Sequence, residues 1–418
     1  MSRLRANQIT NQATDGAPTV EKGLVISGVT TSTSFSGNLT GNASTATIAS
    51  GITTTASINT SGIVTATSFV PTTGQLSHRN IAINGDMRVA QRGSSSTTSG
   101  YATVDRFKVS YSGTDEAPTQ AQVDVASGTT PYTLGFRKAL KITNGDQTGG
   151  AGAADFITYA YRVEAQDMAS SGWNYTSASS FITLSFWIKS SVAQSFGCFV
   201  RTHDGNQLTF PFETGSLSPD TWTKIIKIIP GNGAMSFSYD NGTGLEIIIG
   251  GFWGTDYTTS NKPLDTWGAY SNGSRLKDNT PTWYTTNDST LEITGLQLEV
   301  GSVATPFEHR SIGEELIRCK RYFEIIKPNY FNLGRFDHSN GQAFNFIQFQ
   351  VTKRNSPTAS TAGTFRSSQG SSGNISFDST TVDGASIYTS NTTGVNGILY
   401  ILDDLGNGTL MLKFDAEL

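Results

Sequence analysis

Between Leu291 and Phe323 the hydrophobic period changes twice, and each change falls at residues suited to it. Leu291 and Ile293 place apolar groups on one side of an extended chain, with Glu292 and Thr294 on the other; the alternation then slips by one and resumes as Leu296, Leu298 and Val300. A period of two marks a strand, and a one-residue slip at a glycine marks a bulge, so Gly295 is expected to bulge this strand. After Pro306 the spacing becomes helical. Ser311 and Glu314 have capping-box spacing, and Lys320 and Arg321 lie where cations suit the end of a helix dipole. Ile312, Leu316, Cys319 and Phe323 form one apolar stripe, read as an interface between neighbouring chains around a shared axis.

The same stretch, read as GxQLExGxxATPFExRxxGEELxxCxRY, closely resembles a block common in bacteriophage tail-fibre proteins. Three upstream pieces resemble that family too, in the same order: NIAINGDMRVAQRG (Asn80–Gly93), YATVDRF (Tyr101–Phe107) and ITLSFWIKSS (Ile182–Ser191). The family often has an aromatic where Ala90 stands and a tryptophan where Phe107 stands; both departures touch local packing only. The resemblance implies a virion protein of the tail fibre whose central part is a galactose-binding-like jelly roll, a layout shared with many carbohydrate-binding modules. The matched positions read as scaffold and carry over no catalytic or ligand-binding residue.

The chain has 418 residues, 15% of them charged, with 44 glycines, a polar but uncharged bias that suits β-rich extracellular or virion proteins. A formal net charge of −4 argues against nucleic acid as a partner, which would require a basic face. Cys198 and Cys319 are far apart and read as free buried thiols. His78, His203, His309 and His338 are too scattered for a zinc site, and neither metal nor cofactor is expected. The opening MSRLRANQIT lacks the apolar core of a secretory signal, and no run approaches the roughly 18 apolar residues of a membrane span, so membrane insertion is not expected.

Five regions follow along the chain. Residues 1–22 form a short charged head, assigned by analogy to docking on the phage tail (adaptor, nozzle or baseplate). Residues 23–77, all 55 of them, contain no Asp, Glu, Lys or Arg. A pattern recurs there as SGVTTSTSF from Ser27, SGITTTASI from Ser50 and SGIVTATSF from Ser61. One chain has too little apolar area in this stretch for a core, whereas three wound together could pool Val, Ile and Phe on an axis. The stretch resembles the low-complexity shafts of marine cyanophage fibres; a disordered Ser/Thr linker is the alternative. Residues 78–310 read as a large antiparallel sandwich, with strands expected at Phe107–Tyr111, Phe136–Ile142, Phe181–Lys189, Phe196–Arg201, Trp222–Ile229 and Leu245–Gly250. Residues 311–326 are the helical connector. Residues 327–418 read as a small distal β-sandwich ending in a hairpin, Ile398–Asp403 against Thr409–Phe414.

Two surfaces compete for recognition. The loop from Phe252 to Thr285 carries Trp253, Tyr257, Trp267, Tyr270, Trp283 and Tyr284 beside Asp256, Asp265, Asn272, Arg275 and Lys277. Flat rings suit the C–H faces of sugars, and polar side chains suit their hydroxyls. The alternative is that these rings pin a long irregular loop to the sandwich. The second surface is Tyr330, Phe331, Arg335, Phe336, Asp337 and His338, favoured for primary specificity because a distal domain meets the cell first. Catalysis is not expected: no paired carboxylates stand out, and no Gly-x-Ser-x-Gly, His-Glu-x-x-His or phosphate-loop motif occurs.

The reading is an all-β, elongated homotrimeric fibre, located in the virion tail, that attaches to a host-surface polysaccharide. The alternatives are a depolymerising tail spike and a purely structural fibre or adaptor. Light scattering on the intact chain should give the mass of a trimer; a monodisperse monomer would refute the shared axis.

Overall fold

The computed structural model describes residues 78–418, apart from 328–329, 334–335, 338–341, 364, 368–371, 374, 390–399 and 404–410. They belong to one compact unit, Phe69–Leu418. The repeat region and the charged head lie outside the described residues, as do the residues between the two strands of the expected last hairpin and the positions Arg335 and His338.

Two antiparallel sheets face each other. In chain order the strands are β1 (Ser95–Ser96), β2 (Phe107–Ser112), β3 (Thr119–Asp124), β4 (Lys138–Thr143), β5 (Phe156–Glu164) and β6 (Phe181–Ser190). Then come β7 (Ser195–Thr202), β8 (Leu208–Ser216), β9 (Thr223–Pro230), β10 (Thr243–Trp253), β11 (Gly268–Ala269) and β12 (Thr290–Val300). Sheet one has the order β1-β3-β4-β12-β6-β9 and sheet two β11-β8-β7-β10-β5-β2. All six strands expected in this region are present to within a few residues at their ends.

Alternation fills the space between the sheets. Ile182, Leu184, Phe186 and Ile188 of β6 are enclosed, and so are Ile157, Tyr159, Tyr161 and Val163 of β5. Tyr159 carries a polar tip across this core: its hydroxyl accepts from Ile142 N (2.9 Å) on β4 and donates to Leu291 O on β12. A buried phenol needs such partners, and here they tie the two sheets together. Cys198 is free and buried in the same core, which pushes its thiol up to about 12.

The bulge in β12 falls where the slip in alternation places it. Thr294 pairs with Trp187 but Gln297 pairs with Ser185, one residue extra, and Gly295 has φ +65°. The bulge frees the backbone of Leu296 for the segment around Asn80. Leu296 N donates to Gly85 O (2.9 Å), and Leu296 O accepts from Asn80 Nδ2 (3.2 Å). Gly85 must be glycine, since a Cβ there would lie 2.0 Å from Leu296 O.

Helix α1 (Thr130–Thr133) and helix α2 (Ala165–Ala169) are single turns; α3 (Ile312–Lys320) is the capped helix, with Ser311 Oγ accepting from Glu314 N at 3.2 Å. Its inward face is not the apolar stripe. Glu315 and Cys319 are buried, Leu316 is half-buried, and Ile312 is 53% exposed. Phe323 lies beyond the helix, buried at the start of β13 (Phe323–Ile326). Hydrophobic periodicity misjudged this face because its central group is an ion-paired carboxylate. Glu315 meets Arg310 Nη1 at 3.2 Å and accepts from Asn84 N at 2.7 Å. Cys319 and Phe323 are enclosed by their own chain, which leaves Ile312 and part of Leu316 facing outward.

Beyond α3, β13 pairs with Met411–Asp415, which pairs in turn with Thr358–Ala362. Among the described residues the expected last hairpin is not seen: Tyr400–Asp403 pairs instead with Tyr330–Leu333 and Phe365–Ser367. The final strand is drawn to β13 because the residues after it are anchored in the sandwich. Glu417 forms an ion pair with Arg106, a guanidinium only 1% exposed that also lies 3.4 Å from the centre of the Tyr322 ring. Arg92 meets Asp415 at 3.0 Å and Glu417 at 3.4 Å. No helix among the described residues is long and apolar enough to cross a membrane.

Removing one member of a buried ion pair leaves the other charge uncompensated, at a cost of about 3–5 kcal/mol. Glu417→Ala should therefore lower unfolding stability by that order in denaturant titrations. Glu314→Ala removes only the half-exposed pair with Arg318 (3.6 Å) and should change it by about 0.5 kcal/mol or less.

Candidate functional site

Sheet two buries one face and turns the other outward, and the strand register decides what stands on the outer face. Lys108 of β2 lies opposite Ala160 of β5. Glu246 of β10 lies opposite Arg162 on one side and Arg201 on the other; Ile248 lies opposite Ala160 and Phe199. Two cross-strand rows result, one of charge (Arg162, Glu246, Arg201) and one chiefly apolar (Ala160, Ile248, Phe199) with Lys108 at its end.

After β10 the chain crosses this face as an irregular loop. It is tied down by Tyr270 N to Gln207 O (2.9 Å), Thr259 N to Leu276 O (3.0 Å) and Arg275 N to Tyr257 O (2.8 Å). Leu276 plugs onto Ala160, Phe199, Ile248 and Trp253, a small cluster separate from the main core. The loop therefore covers part of the face and leaves a groove of about 330 Å³ between itself and the strands, with Tyr270, Asn272 and Arg275 forming its loop wall and Trp253, at the end of β10, closing one end.

Among the groove-lining residues Glu246 is the one carboxylate. It accepts from Arg162 Nε (2.7 Å) and lies 3.1 Å from His203 Nε2. Burial pushes its carboxyl up, but the His203 and Arg162 contacts outweigh burial and hold it at about 2. Arg162 Nη1 also donates to Leu418 O at 2.8 Å. Arg201 stands over Tyr270, 3.5 Å from the ring centre, and donates to Gln207 Oε1 (2.6 Å). Arg275 stands over Tyr257 (4.6 Å) and Trp253 (5.1 Å) and donates to Asn272 Oδ1. The Trp253 indole N–H lies over Gly250, where a Cβ would be 2.2 Å away, and has no acceptor among the described residues.

The loop aromatics divide into two groups. Trp253 and Tyr270 line the groove, and Tyr257 packs edge-on against Trp253 at 5.6 Å beside it. Trp283 and Tyr284 are core residues: Trp283 Nε1 donates to Thr290 O (3.0 Å), and Tyr284 stacks on Phe252 at 4.4 Å. Trp267 packs on Phe210 (5.3 Å) and donates to Pro230 O (2.7 Å), away from the groove lining. Both readings of the loop thus hold, for different rings. Asp265 pairs with Lys227 at 2.9 Å, while Asp256 and Lys277 are exposed outside the lining. Tyr330, Phe331, Phe336 and Asp337 lie on strands whose side chains are outside the described residues.

The cations Lys108, Arg162 and Arg201 were not legible as site residues. Each is the outward member of an alternating strand, a signal that acquires meaning only when the strands are set side by side. A second concavity of about 390 Å³ lies on sheet one around Phe136, Trp187, Pro306, Phe307 and His309. Its rings pack on one another (Phe136 to Phe307, 4.9 Å), and His309 Nε2 is engaged with Leu134 O at 2.9 Å. The groove on sheet two, lined by more charged and polar side chains, is the better candidate for a recognition surface. Among the described residues no three His, Cys, Asp or Glu side chains converge as metal ligands.

Trp283→Ala should lower stability by about 3–5 kcal/mol, as expected for emptying a fully enclosed indole site. Tyr270→Ala should change it by less than about 1 kcal/mol, because its ring stands at the surface. Paired denaturation curves separate the pinning ring from the groove ring.

No family model matches the sequence, and no curated protein does. Among solved structures, the chain is similar to the enzymatically active domain of tailspike protein 4 from bacteriophage CBA120, at TM-score 0.29 and 10% identity. The match covers 53% of this chain and 21% of that one. It is also similar to the N-terminal tandem CBM22-1–CBM22-2 domain of Xyn10C from Paenibacillus barcinonensis (TM-score 0.27, 9% identity, 84% of this chain and 100% of that one). A third similarity is to the N-terminal cellulose-binding domain of β-1,4-glucanase C from Cellulomonas fimi (TM-score 0.24, 11% identity, 52% and 99%).

Proposed function

We propose that this chain is a glycan-binding tail-fibre protein of a virion and that the groove on sheet two holds the saccharide. The observation that carries the reading is the groove itself: an open trough of about 330 Å³ with aromatic edges and clustered guanidinium, amide and hydroxyl groups. The four sequence pieces shared with tail-fibre proteins support the virion assignment, with residues 1–22 docking the tail and residues 23–77 forming the trimeric shaft. Binding without hydrolysis is part of the proposal. Glycoside cleavage needs two carboxyl groups, one holding a proton near neutral pH, whereas Glu246 stands alone among the lining residues and is kept ionised.

Affinity electrophoresis of the intact protein through gels containing host envelope polysaccharide tests this. Retarded migration is expected, with a loss of at least tenfold in affinity for Tyr270→Ala combined with Arg201→Ala and no change in melting temperature. Unaltered retardation in that variant would move the site elsewhere, and oligosaccharide released from the polysaccharide would favour a depolymerase.

A further inference from the structure

The structure assigns the groove an anionic ligand: we propose that it selects a saccharide chain bearing carboxylate or phosphate groups. This rests on the glycan-binding reading above and goes beyond it to the class of sugar.

The first observation is a local imbalance of charge. Arg162 is answered by Glu246 at 2.7 Å. Lys108, Arg201 and Arg275 also line the groove, and among the described residues none of the three forms an ion pair. Arg201 and Arg275 bond only neutral amides, Gln207 and Asn272. The chain as a whole carries −4, so three unanswered cations on one face are not the average of a basic protein.

The second observation concerns the rings. A neutral sugar is gripped by laying its C–H face on an aromatic face. Here guanidinium groups stand over those faces: Arg201 over Tyr270 at 3.5 Å, and Arg275 over Trp253 at 5.1 Å. A neutral pyranose would have to displace a cation–π contact to stack. An anion instead meets guanidinium edges already oriented by the rings beneath them, the planar geometry that suits carboxylate and phosphate oxygens.

The third is placement. Arg162 and Arg201 flank Glu246 on neighbouring strands of one cross-strand row, and strands lie about 4.8 Å apart, so the basic row spans about 10 Å. Lys108 and Arg275 extend the positive surface beyond this row. A spread of this kind is matched by charges repeated along a chain, not by a single terminal anion.

Titration calorimetry on the intact protein tests the assignment with four probes: an oligogalacturonate, the same oligomer after carboxyl reduction, a mannose oligosaccharide carrying 6-phosphate, and its dephosphorylated form. At low salt, at least one anionic probe should bind tenfold or more tighter than its neutral counterpart, with the advantage shrinking as salt is raised. The carboxylate and phosphate arms show which anion is preferred. Arg275→Gln should remove most of the advantage, and Lys108→Gln, on a regular strand, provides a second variant should the first disturb the loop. Neutral probes binding as tightly as anionic ones would overturn the anionic assignment while leaving glycan binding intact. Failure of all four probes, together with no retardation in host polysaccharide, would overturn both.

Discussion

A guanidinium sealed from water must be answered by the surrounding fold, and Arg106 sets that demand here. Its 1% exposure is tolerated only because Glu417 supplies a carboxylate, Arg162 O accepts from Nη2 at 2.6 Å, and Tyr322 offers its ring. Those partners come from β5, from the turn after α3 and from the residues after the last strand. One side chain thus requires three distant parts of the sequence to be present together. Arg310 makes a second such demand, binding Asn80 O, Ala82 O (3.2 Å), Glu308 (3.0 Å) and Glu315 (3.2 Å). Three of the stretches singled out in the sequence, Asn80–Gly93, Tyr101–Phe107 and Leu291–Phe323, meet at these two hubs, which accounts for their wide separation along the chain.

The groove depends on the same framework. β5 holds Arg162 in place while its carbonyl serves Arg106, so the buried hub and the outer face share one strand. Glu246 completes the link, because the carboxylate that neutralises Arg162 also lies 3.1 Å from His203. The proposed recognition surface is therefore built mainly on strands, with the crossing loop supplying one wall, an arrangement that would favour preorganised binding.

Much of the fold could be read locally. The Gly295 bulge, the Ser311 cap and the alternation of Ile182, Leu184, Phe186 and Ile188 each depend on neighbours within a few residues, and each stands where the sequence places it. Features set by register were not legible. FITYAYRVE, the strand carrying Tyr159, Tyr161 and Arg162, was not among the runs singled out, so the charged row across three strands had no anchor. The buried face of α3 escaped because a carboxylate in an ion pair counts as polar in a periodicity and as core in a structure. Of the loop aromatics Trp253 and Tyr270 line the groove, while Tyr257, Trp267, Trp283 and Tyr284 pack beside it or in the core, since composition does not record which way a ring turns.

The pairing of Phe323 with Asp415 gives the C-terminal part a particular topology. The chain leaves the sandwich on β13 and returns on the strand beside it, so departure and return lie side by side in one sheet. Much of what is strung between Ile326 and Met411 is an insertion between two fixed posts, although Thr358–Ala362 joins the same sheet and Lys353 and Arg354 are bonded to Glu324, Asn241 and Ala416. A chain built this way can exchange the rest of that insert for another of different length or sequence without disturbing the trough on sheet two, provided these residues, the returning strand and the carboxylate of Glu417 are kept. Variation in the one and constancy in the other then become separable by recombination at two neighbouring points.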